Sequence, residues 1–208
     1  MLVSQIPFRE IQYHYFLLPL QPEDTVLHKI CKHFPGAAKA NLVLLYGYID
    51  HQAGITFELL CNGILKGNQV SLYDGTDDFT AKIRSGEIAH HEIYPQEEYH
   101  FAPYQEKVDF INTNYKASKD VETLRSFTEL DPFRHPLYPD DLGVILYREG
   151  QQMERCWVRC NAMKEDGISG TLLNEPNGSL GPHCSDEITF TMIENKDKTL
   201  LPICYLEK

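Results

Sequence analysis

Two groups of side chains have the types that metal or nucleophile chemistry would need. Cys156-x-x-x-Cys160, joined by His183-Cys184, supplies four groups of the kind that bind zinc. Structural zinc sites usually take their cysteines from a tight knuckle in a turn. Cys156 and Cys160 instead lie in a strand-like stretch that places both on one apolar face beside Val158. The second group is His90-His91 with His100, interleaved with Glu92, Glu97 and Glu98. Its spacing gives no His-x3-His pair on one helix face, and a solvated, Tyr-rich loop accounts for it. Cys184 beside His183 has the residue types of a nucleophilic pair. Adjacent residues seldom turn their side chains toward one another, so a dyad would need His90, His91, His100 or His135 brought in by the fold. Asp74, Asp77 and Asp78 begin like a calcium loop, yet the twelfth position from Asp74 is Ser85 where such a loop needs Glu. Phosphate loops, a Gly-x-Ser-x-Gly elbow and a dinucleotide fingerprint are absent. No catalytic residue, metal or cofactor is assigned.

A different surface stands out on the face opposite the cysteines. In an extended strand over 154–160, Arg155, Trp157 and Arg159 point the same way, so the single tryptophan is flanked by two arginines. Trp and Arg dominate the hot spots of protein interfaces, which makes this a candidate recognition surface. The plainer alternative is a tryptophan capping a core edge, with arginine stems packed over it.

The elements that must position these residues are legible in outline. A strand is expected at 11–20, then a helix opening at Pro22 with Glu23 and Asp24 at its positive end. Val26, Leu27, Ile30, Cys31 and Phe34 recur there at helical spacing, and Pro35-Gly36 stops the pattern. The stretches 41–49 and 54–61 read as a hairpin, and 69–73 as a third strand after the Asn62-Gly63 and Lys66-Gly67-Asn68 turn signals. Residues 77–85 predict a short helix capped by Thr76 or Asp77. Residues 87–115 are irregular in pattern, and a second helix is expected at 118–130 with Val121, Leu124 and Phe127 inward. Three prolines in 131–142 rule out a regular helix or central strand there. Five short strands follow, at 143–148, 154–161, 168–173, 187–193 and 200–205. The expected architecture is therefore α+β: a sheet-and-helix domain over 1–130, a connector over 131–142, and a small antiparallel barrel-like module over 143–208.

That last module carries a resemblance. Glu154, Trp157 and Val158, then Gly170, Leu172, Asn174 and Pro176, then Asp186, follow the pattern of the bacterial domain family of unknown function numbered 2314. Ser185 stands where that family has glycine, and its closing Asp-Trp has no counterpart after Ile193. The likeness covers about a third of the chain and implies a fold and a bacterial source. Related modules occur near bacterial toxin–immunity systems, so it also implies an immunity or regulatory role.

Composition narrows the partners. A chain of 208 residues with 42% hydrophobic and 24% charged residues is ordinary for a globular protein. Net charge is −11, with 7 Lys/Arg against 12 Asp/Glu in residues 1–100 and 12 against 18 in the rest. That field opposes binding to phosphate backbones, so neither nucleic acid nor membrane is expected as partner. The opening residues lack the features of a secretory signal, and six cysteines in mostly apolar runs suit reduced thiols, so the cytoplasm is expected. Together these features point to a non-enzymatic binding or interaction protein whose partner is a protein. Its contacts would come from Trp157, Arg155, Arg159 and the Asn174-Glu175-Pro176 turn. The alternative is a metal-dependent or cysteine hydrolase using His90, His91 and His100.

Overall fold

The computed structural model describes residues 1–76, 78–96, 102–178 and 180–206. Asp77, an expected helix cap, and Glu97, Glu98, Tyr99, His100 and Phe101 of the histidine-rich segment lie outside the described residues. Two compact units divide the chain, Met1–Lys116 and Ala117–Lys208. The architecture is α+β, with an open sheet in the first unit and a closed five-stranded barrel in the second.

In the first unit the expected hairpin forms between β2 (Leu42–Asp50) and β3 (Gly54–Lys66). Asp50 makes the turn: its Oδ1 accepts the backbone N–H groups of Gln52 and Ala53 at 3.0 and 3.1 Å. β1 (Tyr15–Pro19) pairs with β2 on the other side and carries β6 (Tyr94–Gln96) at the outer edge. β3 runs through Asn62-Gly63 instead of turning there, and then pairs with β4 (Gln69–Leu72). Asn62 is inward and buried, and its amide donates to the carbonyls of Cys31, Phe34 and Pro35. It thus satisfies the orphan C-terminal groups after helix α2 (Thr25–Cys31). A bulge opposite Leu44 and Leu45 inserts Leu60 between Leu59 and Cys61, and turns Leu60 and Cys61 onto the same face. α1 is the single turn Phe8–Ile11.

Two expectations for this unit are corrected. Lys82-Ile83-Arg84 is a strand, β5, and not part of a helix over 77–85: its alternation buries Ile83 and pairs it with Phe57 of β3. The segment read as irregular holds helix α3 (Gln105–Asn114), which buries Val108 and Ile111 on the sheet and leaves Phe110 outward. One sheet face packs against α2 through Leu27, Cys31 and Phe34, and the other packs against α3.

The second unit begins earlier than expected. Helix α4 (Lys119–Ser126) packs on strand β8 (Glu154–Lys164), held by the Ser118 hydroxyl, which accepts from Val121, and by Asp120, which accepts from the backbone N–H of Met163 at 3.1 Å. The barrel follows as a meander of β7 (Asp141–Tyr147), β8, β9 (Gly167–Leu172), β10 (Glu187–Glu194) and β11 (Leu200–Tyr205). All its neighbours are antiparallel except the closing pair, where β11 runs parallel to β7. Cys156, Val158 and Cys160 point into the core with Phe190 and Leu172, as the strand alternation requires.

The proline-rich stretch 131–142 belongs to this unit and does not join two domains. Leu142 is buried in the barrel core with Phe133 packed against it, and Asp140 and Asp141 are buried and ion-paired. Arg134 donates to the carbonyls of Leu124 and Pro139 and to the Asp131 carboxylate, so one side chain holds the end of α4 and the proline turns together. Prolines that forbid regular structure here make a rigid irregular plug.

The Arg125 guanidinium grips Asp140 at 2.9 and 2.7 Å, with the two side chains 3% and 4% exposed. Removing one partner strands a buried charge, which costs more than the pair contributes. Asp140→Ala is expected to destabilise this unit by about 3 kcal/mol, and the double substitution Arg125→Met/Asp140→Leu by clearly less. Urea unfolding followed by Trp157 fluorescence, which reports this unit alone, measures both.

Candidate functional site

The residues expected to make a recognition surface are brought together on the outside of the barrel, but they play unequal parts. Trp157 is half-buried, with the edge of the His135 imidazole 5.1 Å away between ring centroids. His135 in turn meets Tyr138 at 5.0 Å. The Arg155 guanidinium lies 5.8 Å from the Trp157 ring centroid, near the limit of a cation–π contact. It lies there because Gly143 opposes Trp157 across the strands: a Cβ at Gly143 would come within 2.2 Å of Arg155 Nε. Arg159 turns to its neighbouring strand, bound at both ends by Asp141 at 2.8 and 3.0 Å.

The Asn174-Glu175-Pro176 turn serves that tryptophan from behind. Asn174 Oδ1 accepts the Trp157 backbone N–H at 2.7 Å, and the Trp157 carbonyl accepts from Leu173 at 2.8 Å. Pro176 is buried. Glu175 accepts from the backbone N–H of Cys184 at 2.8 Å and pairs with His183 Nδ1 at 2.6 Å. Those bonds hold the Glu175 carboxyl below its usual range, the Cys184 N–H contributing most, and raise the His183 imidazole above its own. Glu154 accepts twice from Asn177, and Asp186 accepts from the His183 backbone N–H. Glu154 and Asn174 therefore stitch the loop after β9 to β8, and Asp186 closes a turn within that loop.

Within each unit, the described residues of the histidine group and of the cysteine group form no ligand cluster. His91 Nε2 sits 2.8 Å from Asp24 Oδ1, and His90 is exposed. His100 falls outside the described residues. Among the described residues, no group of three or more His, Cys, Asp or Glu side chains is arranged to hold a metal ion. All six cysteines are free. Burial pushes the Cys31, Cys61 and Cys204 thiols up to about 11 and raises Cys156 and Cys160 as well, so these five stay protonated at neutral pH.

The site that the sequence reading missed is in the first unit. Strand pairing sets Tyr46, Glu58 and Lys82 in one row across β2, β3 and β5, and Tyr48, Thr56 and Arg84 in the next. Glu58 is 1% exposed. Its Oε1 receives the Lys107 ammonium from α3 at 3.1 Å and the Ala81 N–H at 3.2 Å. Its Oε2, and the hydroxyl of Tyr48, are buried with no hydrogen-bond partner among the described residues. Tyr46 donates to Asn112 at 2.8 Å, Lys82 bonds the Tyr115 hydroxyl, and Tyr115 packs on Tyr48 at 4.8 Å. Over this row lies a cleft of about 400 Å³ lined by Glu58, Lys82, Lys107, Phe110 and Tyr115. The missed signal was a lone carboxylate in Ile55-Thr56-Phe57-Glu58-Leu59-Leu60, on a strand otherwise apolar or small.

Burial raises the Glu58 pKa, and Lys107 only partly offsets it. The folded state then binds more protons than the unfolded chain between the ordinary carboxylate range and the raised value, so stability falls as pH rises through that window. Glu58→Gln is expected to flatten that decline. Thermal melts of both proteins from about pH 4 upward check it, and parallel curves would mean that the carboxylate ionises in place at no cost. Set against family models, curated proteins and solved structures, the chain matches none, so the likeness running from Glu154 to Asp186 rests on those residues themselves.

Proposed function

We propose that this chain is a non-enzymatic binding protein of the bacterial cytoplasm, of immunity or regulatory type. Its barrel would engage a protein partner through Trp157, with Arg155, His135 and Tyr138 around it. The observation that carries this reading is the fixation of Trp157 from both sides of its backbone by Leu173 and Asn174. An aromatic anchor held in place before binding loses little freedom on contact, and such residues supply most of the energy of protein interfaces. In this reading Arg159, Asn174, Glu175 and Pro176 support the surface, while Trp157 and Arg155 make the contact.

Three further features support it. The net charge of −11 favours a basic partner and disfavours nucleic acid or an anionic membrane. Six free thiols suit a reducing compartment. Among the described residues, no helix is long and apolar enough to cross a membrane.

Affinity capture from cells of the source organism, with wild-type protein, Trp157→Ala and a control substitution Val26→Ser at an exposed position of the other unit, tests the surface. A partner recovered by the wild type and the control should be lost from Trp157→Ala, with affinity weakened by about 30-fold or more when measured on the isolated pair. Equal recovery by Trp157→Ala, with an unchanged far-UV spectrum and melting curve, would count against this face.

A further inference from the structure

The cleft over Glu58 has a surplus of hydrogen-bond donors, and that surplus identifies its ligand. Among the described residues, Lys107 uses two of its N–H groups, on Glu58 Oε1 and on the Phe79 carbonyl at 3.2 Å, which leaves a third. Lys82 bonds the Tyr115 hydroxyl and keeps two, while that hydroxyl, as acceptor, keeps its own proton to give. Thr76 accepts from the Asp78 N–H at 3.2 Å and also retains its hydroxyl proton. Thr80 lines the same space.

Among the described residues, acceptors are few on the same walls. Glu58 is enclosed: Oε1 is already shared by two donors, and Oε2 lies beneath the surface where no ligand reaches it. Glu106 stands at the lining beside Phe110, which is 63% exposed, and the rings of Phe110 and Tyr115 with Ile111 provide the apolar part. A cationic ligand would face both ammonium groups, with Glu106 the one exposed carboxylate on these walls among the described residues. An anion would meet several unused donors at once.

We propose that this cleft binds a small organic anion, a carboxylate or phosphate on an apolar or aromatic body. Its head would lie against Lys107, Lys82 and the Tyr115 hydroxyl, and its body against Phe110 and Ile111. A volume of about 400 Å³ suits a molecule of that size and lies within the range of small-molecule sites. Charge-assisted bonds from two ammonium groups supply the orientation. Glu58 holds Lys107 in position, and its own charge opposes the ligand. This assignment is independent of the Trp157 surface, which lies in the other unit.

Calorimetric titration of the full chain with benzoate, phenyl phosphate and benzylammonium tests it, and the first two distinguish the carboxylate head from the phosphate. At least one anion should saturate a single site, and benzylammonium should not. Lys82→Met should weaken that anion by about tenfold. Glu58→Gln should tighten it several-fold, a gain that a damaged fold would not produce. Lys107→Met is made in the Glu58→Gln background, so that no buried carboxylate loses its counter-ion, and should abolish the gain. The proposal is overturned if neither anion saturates at millimolar concentration, if benzylammonium binds as well as the anions, or if the lysine variants bind like their parents.

Discussion

A carboxylate in the middle of a buried strand is the constraint around which the first unit is arranged. Glu58 sits on β3 between neighbours that are apolar or small, and it is closed off from water. A carboxylate in such a place must be paired, protonated or both, because desolvation disfavours its charge by more than a surface contact returns. The fold supplies Lys107 from above and the Ala81 N–H from the side. Those contacts set where α3 must cross the sheet and where the chain must pass before β5 begins. The row Tyr46–Glu58–Lys82 and the row Tyr48–Thr56–Arg84 follow from β5 pairing at that register. Burial, only partly offset by Lys107, makes the carboxyl hold its proton more tightly than usual.

The second unit solves a related problem in a different way. Arg125 and Asp140 are both nearly inaccessible, yet every strong direction is used: two parallel bonds between them and a third from Arg125 to Glu122. The backbone carbonyl of Asp140 also receives the Cys160 N–H, so the pair is tied to the barrel wall itself. Here the buried charges fix a rigid plug at one end of a closed sheet. In the first unit the pairing is incomplete and lies beneath a cleft. Completeness of pairing separates a structural ion pair from one that leaves capacity beside it.

Much of the fold could be read from local pattern. The five barrel strands fall close to their expected spans, because each is short, alternates cleanly and is bounded by turn residues such as Gly150 and Glu165-Asp166-Gly167. The assignment of Cys156 and Cys160 to the core face follows from the same alternation. What was not legible depended on distant partners. Asn62 carries a turn signature, but three carbonyls near the end of α2 use its amide and let β3 continue. Lys82 to Arg84 is too short to declare itself as a strand without β3 beside it. The prolines of 131–142 show only that regular structure stops, and whether such a stretch links or plugs is decided by Arg125 and Arg134. Glu58 was overlooked for the same reason: its counter-ion is 49 residues away, on a helix whose own pattern is weak.

The residues bonded between Glu154 and Asp186 make the same point from the opposite direction. Short motifs are recognisable when they are local, and these are local because they hold one loop. Glu154 takes Asn177, Asn174 takes the Trp157 backbone, and Asp186 takes the His183 N–H. Each of the three carboxylate or amide groups is engaged in holding that loop, so their presence specifies a fold and a rigid tryptophan more directly than an activity. In the first unit the donors with capacity left among the described residues belong to Lys82, Lys107 and Tyr115, which share no motif and meet only through strand register and helix crossing. Spare hydrogen-bonding capacity, and not sequence pattern, therefore marks where this chain has chemistry left to offer.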